Sequence, residues 1–197
     1  MAASSSRRLA AAVLAACAAV AGAQEREQLP IQLKAASLNF DTQKGLVEYG
    51  AVTITQGEIR ITADRAVTSG LDFKDSSWEF SGTVRISMPD SALASDTASV
   101  RFSGGEIASA LVTGAPATFQ QQRKDERAEG RANRIDYDLK RGAVELDGNA
   151  WLSDGKTEIT GAKLVYSTTN QRVVSREQVL ITIQPNEPAP EKPKPKP

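Results

Sequence analysis

The 197-residue chain has no histidine and a single cysteine, Cys17. Without imidazole there can be no Ser-His-Asp triad and no histidine general base, and so little His and Cys leaves no zinc site of the usual kind. Neither a GxxxxGK[ST] loop nor a GxGxxG turn occurs, so nothing is built to cradle the phosphates of a nucleotide. Carboxylates are plentiful, yet no spacing among them implies a catalytic pair. A surplus of one charge is missing as well: 24 basic side chains balance 24 acidic ones, which excludes a strongly basic nucleic-acid binder and an acidic disordered chain. These absences predict a protein that is not an enzyme, carries no cofactor or metal and has no nucleic-acid partner. One domain of ordinary size is expected.

Long apolar runs are scarce too. Arg7 and Arg8 precede the longest, Leu9 to Ala21, which is too short and alanine-rich to span a bilayer. The small residues Ala21, Gly22 and Ala23 follow it, so 1–23 reads as a cleavable signal peptide, with Gln24 first in the mature chain. Leu14-Ala15-Ala16-Cys17 also fits a bacterial lipobox, in which Cys17 would be acylated and become the N-terminus. At the other end "PNEPAPEKPKPKP", 185–197, combines repeated proline with charge and reads as a disordered tail, leaving 24–184 as the folded domain.

Within that domain the chain repeats itself. Val52, Ile54, Ile61, Asp64 and Ala66 recur 32 positions later as Val84, Ile86, Leu93, Asp96 and Ala98. A further 66 positions on stand Ala150, Leu152, Ile159, Ala162 and Leu164, with a degenerate copy between, at 111–119 and 129–137. Each copy holds runs such as Val52-Thr53-Ile54-Thr55 and Val84-Arg85-Ile86-Ser87, apolar and polar in alternation, interrupted by Gly, Asp or Ser about every eight residues. The expectation is an all-β fold of about sixteen short strands in four stacked repeats, because one such unit cannot bury its apolar face alone. The predicted inward residues are Leu38, Phe40, Val47, Tyr49, Val52, Ile54, Ile61, Trp78, Phe80, Val84, Ile86, Leu93, Phe102, Phe119, Ile135, Tyr137, Val144, Leu146, Leu152, Ile159 and Leu164. Asp64, Asp96 and Asn133 recur near one repeat position and are expected to serve turns through side-chain to backbone hydrogen bonds. Arg123, Lys124, Arg127, Arg131 and Arg134 are interrupted by Asp125, Glu126 and Glu129, which reads as a solvated loop more than as a phosphate site.

Five stretches carry a likeness to a known family: "LPIQLKAASLNFD", "GAVTITQGEIRITADRAV", "GAPATFQQQ", "AEGRANRIDYDLKRGAVELDGNAWLSDGKTEITGAKLVY" and "RVVS". Together, from about Leu29 to Ser175, they resemble the OstA-like family, most specifically over 128–166. The resemblance implies an open, twisted antiparallel β-jellyroll whose two facing sheets form a V around an apolar interior. It also implies a job: a periplasmic carrier and bridge for lipopolysaccharide that shields the acyl chains of lipid A. Its partners would be the inner-membrane anchored and outer-membrane OstA-like components of that bridge. The interior residues it implies are Ile31, Phe119, Tyr137 and Leu139. Taken alone, Phe119, Tyr137 and Leu139 also read as ordinary core, and the two readings are compatible because a lipid slot is a core with one wall missing.

A stack of strands leaves unpaired backbone groups at each end, and no capping helix is evident in the sequence at either. Head-to-tail homo-oligomers are therefore expected, joining the interiors into one slot. Two alternatives stand beside this: a structural envelope repeat protein with a closed core, and a membrane-tethered lipoprotein of the same pathway, should Cys17 be acylated.

Overall fold

A computed structural model describes residues 29–70, 72–124 and 126–185. The expected signal peptide, the lipobox at Cys17 and the tail beyond Pro185 lie outside the described residues. Alternating apolar and polar side chains make strands here because successive positions point to opposite faces, so one face can be buried throughout. Two short strands come first, β1 (Ile31–Lys34) and β2 (Ser37–Asp41). Eight long ones follow: β3 (Leu46–Gln56), β4 (Ile59–Thr68), β5 (Ser77–Ser87), β6 (Ser91–Ser103), β7 (Glu106–Arg123), β8 (Glu126–Asp138), β9 (Ala143–Ser153) and β10 (Thr157–Ser167). The short β11 (Val173–Val174) and β12 (Val179–Ile183) are the last described strands. From β3 to β10 each strand pairs antiparallel with the next in sequence. On the outer side of β3 lie β1 and β2, and on the outer side of β10 lie β11 and β12.

Among the described residues twelve strands stand where about sixteen short ones were expected. The difference is physical. The glycine, aspartate and serine clusters do not end strands; they bend them. Pairing slips between Arg65 and Thr62 on β4, Ser81 and Val84 on β5, Ala94 and Thr97 on β6, Thr113 and Ala117 on β7, and Arg131 and Arg134 on β8. Another slip falls between Gly161 and Lys163 on β10. Ala51, Thr83 and Asn149, beside Gly50, Gly82 and Gly148, have positive φ at corresponding points of β3, β5 and β9. Pro116, which has no amide donor, occupies the unpaired stretch of β7. These irregularities line up across the sheet as one seam, so each long strand is two segments, and eight such strands account for the sixteen.

The seam folds the sheet onto itself. Phe119 on β7 is paired with Gly130 on β8, and Tyr137 lies seven residues further along β8. In a flat sheet that separation would be about 23 Å, yet the Phe119 and Tyr137 rings are 5.9 Å apart. The first arm therefore holds 46–50, 65–68, 77–81, 97–103, 106–113, 134–138, 143–147 and 163–167; the second arm holds the remaining segments and faces it. One repeat copy is one hairpin, β3–β4, β5–β6, β7–β8 or β9–β10.

Asp64, Asp96 and Asn133 all stand on this seam, each bonded to the strand that follows. Thr83 Oγ1 donates to Asp64 Oδ2 at 3.2 Å, the Ala115 amide to Asp96 Oδ2 at 3.3 Å, and Asn149 Nδ2 to Asn133 Oδ1 at 3.4 Å. Only Asp96 bonds to backbone as expected, and all three pin neighbouring bends across the sheet instead of serving turns. Outside, Arg65 meets Glu48 at 2.7 Å and Lys163 meets Glu145 at 2.5 Å. Such half-exposed pairs add little stability.

Candidate functional site

Between the arms the apolar side chains form continuous rows, because residues paired across neighbouring strands share a face. In the second arm one row runs Leu33, Ile54, Ile61, Ile86, Leu93, Phe119, Gly130, Leu152, Ile159, Ile181, from the first edge strand to the last. Opposite it in the first arm run Leu38, Tyr49, Ala66, Phe80, Ala98, Val112, Ile135, Leu146, Leu164. A third row, nearer the open side, includes Phe40, Val47, Trp78, Val100, Tyr137, Val144, Tyr166 and Val173. The interior is thus an apolar band crossing the whole stack.

Phe119 and Tyr137 lie at the heart of this band. Phe119 is wholly buried and Tyr137 nearly so, in an edge-to-face pair, and Phe119 also meets Tyr166 at 6.0 Å. The missing side chain at Gly130 gives Leu146, across the interior, its room: a Cβ there would come within 2.7 Å of Leu146 Cδ2, while the Phe119 ring at 3.6 Å would be in ordinary contact. Leu139, two residues past Tyr137, is half-buried against the core, and its amide donates to the Ala108 carbonyl at 3.1 Å. Ile31 is also half-buried, but on β1 at the opposite end of the stack, with β3 to β6 between it and Phe119. Two of the four expected residues are therefore in mutual contact, and all four border the same band.

Of the expected inward residues, Leu38 and Phe40 are corrections. They point to the buried side, opposite Tyr49 and Val47, but remain 60% and 57% exposed because β2 is an edge strand with no other described strand beyond it. Ile159 is half-buried, and the other expected residues are buried. All of the exposed large apolar side chains among the described residues lie at the two ends of the stack: Leu29, Leu38, Phe40 and Leu46 at one, Val174, Leu180, Ile181 and Ile183 at the other.

The open side of the fold is not uniform. Near β5 it is roofed by Phe73, from the β4–β5 loop, which stacks on Trp78 at 4.6 Å. Near β10 a cavity of about 170 Å³ opens between the arms, with Ala128, Leu152, Ile159, Tyr166 and Val173 on its walls and Gln121, Arg123, Glu126 and Arg127 at its lip. Tyr166 Oη donates to Gln121 Oε1 at 2.9 Å inside it. Burial raises the Tyr166 pKa above the ordinary tyrosine value, against the pull of Arg123, and a hydrogen bond from Arg123 to Asp90 raises the arginine's own. Three of the basic residues have partners of their own: Arg123 pairs with Asp90, Arg127 with Glu129, and Arg131 lies over the Trp151 ring at 4.3 Å. Among the described residues no group of His, Cys, Asp and Glu is placed to hold a metal ion. Gln121, Tyr166 and Thr168 were not singled out from the sequence. The signal was present for Gln121, which stands two positions after Phe119 on a strand and so must point the same way.

Comparison with known proteins places this architecture. The family model described as "LptA/(LptD N-terminal domain) LPS transport protein" matches residues 66–172. Two proteins named lipopolysaccharide export system protein LptA, from Escherichia coli strain K12 and from Shigella flexneri, are each 28% identical to the chain over 148 residues. These alignments cover 73% of this chain but 63% of the relatives, so the chain spans less than two thirds of their length. A crystal structure of LptH from Pseudomonas aeruginosa, titled the LptA homologous periplasmic component of the conserved lipopolysaccharide transport device, superposes with a TM-score of 0.42 at 19% identity, covering 80% of this chain and 96% of that one. Matched over more than half of its length, the chain belongs to the LptA/(LptD N-terminal domain) family of LPS transport proteins.

Proposed function

We propose that the chain is a periplasmic lipopolysaccharide carrier and bridge, which holds acyl chains between its two arms and passes the lipid from an inner-membrane complex to an outer-membrane translocon. The observation that carries this reading is the apolar band running unbroken from edge strand to edge strand, in a member of an LPS transport family. Burying an acyl chain is worth about 0.8 kcal/mol per CH2. Transport therefore demands continuous cover more than chemistry, and the work of moving lipid must come from a partner. The expected signal peptide supports a periplasmic location.

Both ends of the stack favour assembly. Exposed edge strands offer free backbone donors and acceptors, and here they also carry the exposed apolar side chains, Phe40 at one end and Ile181 and Ile183 at the other. Head-to-tail pairing of β12 with the first edge of another copy, or with a related domain of the bridge, would extend the rows from one unit to the next. Ile31, Phe119, Tyr137 and Leu139 would then contact lipid in every unit.

A second reading, a structural envelope repeat protein, is favoured by the tightness of the interior: Trp78, Phe119, Ile135 and Leu146 have no exposed surface. Photo-crosslinking to lipopolysaccharide decides between them. A probe residue at Phe119 or Tyr137 is expected to label lipid, while one at Asp138, its side chain on the other face of β8, is not. Equal or absent labelling at the three positions would leave the closed-core reading.

A further inference from the structure

The tips of the two arms are tied together across the open side at two places. At the first, Gln56 Nε2 on the second arm donates to the Gly105 carbonyl on the β6–β7 turn at 2.7 Å. At the second, Tyr166 Oη donates to Gln121 Oε1 at 2.9 Å, Gln121 Nε2 to the Thr168 carbonyl at 3.4 Å, and Arg123 Nη1 to the same carbonyl at 3.0 Å. Gln56 and Gln121 occupy the same position of their hairpins, two residues after Ile54 and Phe119 in the shared row. The corresponding residues of the other two hairpins, Met88 and Asp154, bond locally, to Ser91 and to the Lys156 and Thr157 amides, and among the described residues make no such bond across to the first arm.

The two ties are not equivalent. The first lies on the side where Phe73 already covers the aromatic cluster. The second stands directly over the cavity beside Tyr166, the place where the interior is open to solvent. It combines three hydrogen bonds with the ion pair that holds the Arg123 guanidinium against Asp90. The two bonds of Gln121 are neutral and buried, worth about 0.5–1.5 kcal/mol each, and the third has a charged guanidinium as its donor. Together they can hold the mouth closed, and because they stand beside the solvent-open cavity, water can reach their groups once the arms part.

Resting on the carrier reading above, we propose that Tyr166, Gln121, Arg123 and the Thr168 carbonyl form a clasp that gates acyl chains into and out of the slot. Closed, as here, it ties the arms together over the cavity beside Tyr166. Open, it frees the tip of β7 from the β10–β11 turn, and the arms part about the seam.

The residues after Ala23 contain no cysteine, so spin labels at Lys124→Cys and Asn170→Cys report on the mouth without competition. In the mature chain one narrow distance is expected, with a longer population growing as lipopolysaccharide is added. Tyr166→Phe keeps the ring and removes one bond; Arg123→Gln removes another from an exposed position. Each is expected to raise the open population, and the rate of lipid crosslinking from a probe at Tyr137, by about two- to tenfold, whereas Gln56→Ala changes neither. Labelling of lipid at Tyr137 with an unmoved mouth and parental rates in both variants overturns the clasp alone. Absence of lipid labelling in every chain overturns the carrier reading and the clasp with it.

Discussion

Phe119 and Phe40 are chemically identical side chains on opposite sides of the boundary between interior and end surface, and truncating each to alanine separates the two roles. Phe119 has no exposed surface and makes ring contacts to Tyr137 and Tyr166. A buried phenylalanine cut to alanine costs about 3–5 kcal/mol, and an aromatic pair contributes about 0.5–1.5 kcal/mol beyond area. The upper half of the first range is therefore expected, since Gly130 directly opposite has no side chain with which to fill the gap. For a domain of this size that lowers the melting temperature by roughly 8–20 °C, at about 2–4 °C per kcal/mol. Phe40 is 57% exposed, so Phe40→Ala is expected to cost the isolated chain less than about 1 kcal/mol. What it removes is apolar surface that no other described residue covers. Urea titration followed by tryptophan fluorescence measures the first effect, and sedimentation velocity over a concentration series the second. Similar losses of stability in both variants, or unchanged self-association in Phe40→Ala, would refute the division of this sheet into a filled interior and an unfinished end.

The seam and the buried tyrosines give further tests. Gly82 (φ +74°) and Gly45 (φ +63°) both have left-handed backbones, so alanine at either is expected to cost about 1–2 kcal/mol. At Gly82 the new Cβ would also lie 2.4 Å from Asp64 Oδ2 and 2.9 Å from Asp64 Cβ, while nothing lies within 4 Å at Gly45; about 1–3 kcal/mol more is expected at Gly82, and equal costs in chemical denaturation would show that the seam tolerates crowding. Burial raises the pKa values of Tyr49 and Tyr166 above the ordinary 10.0. A folded state that holds its phenolic protons more tightly than the unfolded chain keeps their full stabilisation below pH 10 and loses it as pH rises through the folded values. Tyrosinate absorbance is thus expected to rise late and together with unfolding, and Tyr166→Phe to flatten part of that dependence; an early rise in a chain that stays folded would contradict it.

Much of this could be read from the sequence for a definite reason. Period-two alternation reports which face a residue takes, so Val52, Ile54, Val84, Ile86 and Leu152 are where the pattern puts them. Alternation does not report what lies beyond a strand, which is why Leu38 and Phe40 share the inward orientation and yet remain exposed. Gly50, Gly82 and Gly148 mark changes of backbone direction, but a bend that keeps its ladder on both sides has the same local composition as a turn that ends it. Hence the sixteen segments were legible and their fusion into eight strands was not. In the site, Phe119 and Tyr137 stood out as aromatics in recognisable motifs. Gln121 and Thr168 did not, because a polar residue on an inward position looks like loop composition until its partner across the fold is known.

Since every long strand crosses the seam, a single hairpin supplies matching pieces of both walls. Adding or deleting one hairpin would lengthen or shorten the apolar band by two strand spacings, about 10 Å, without narrowing it. Its breadth is governed separately, by how many residues each strand extends on either side of the bend. Genetic changes in the number of repeats could therefore adjust the length of the stack while leaving the cross-section of its interior untouched, as in an extrusion cut to different lengths from one die.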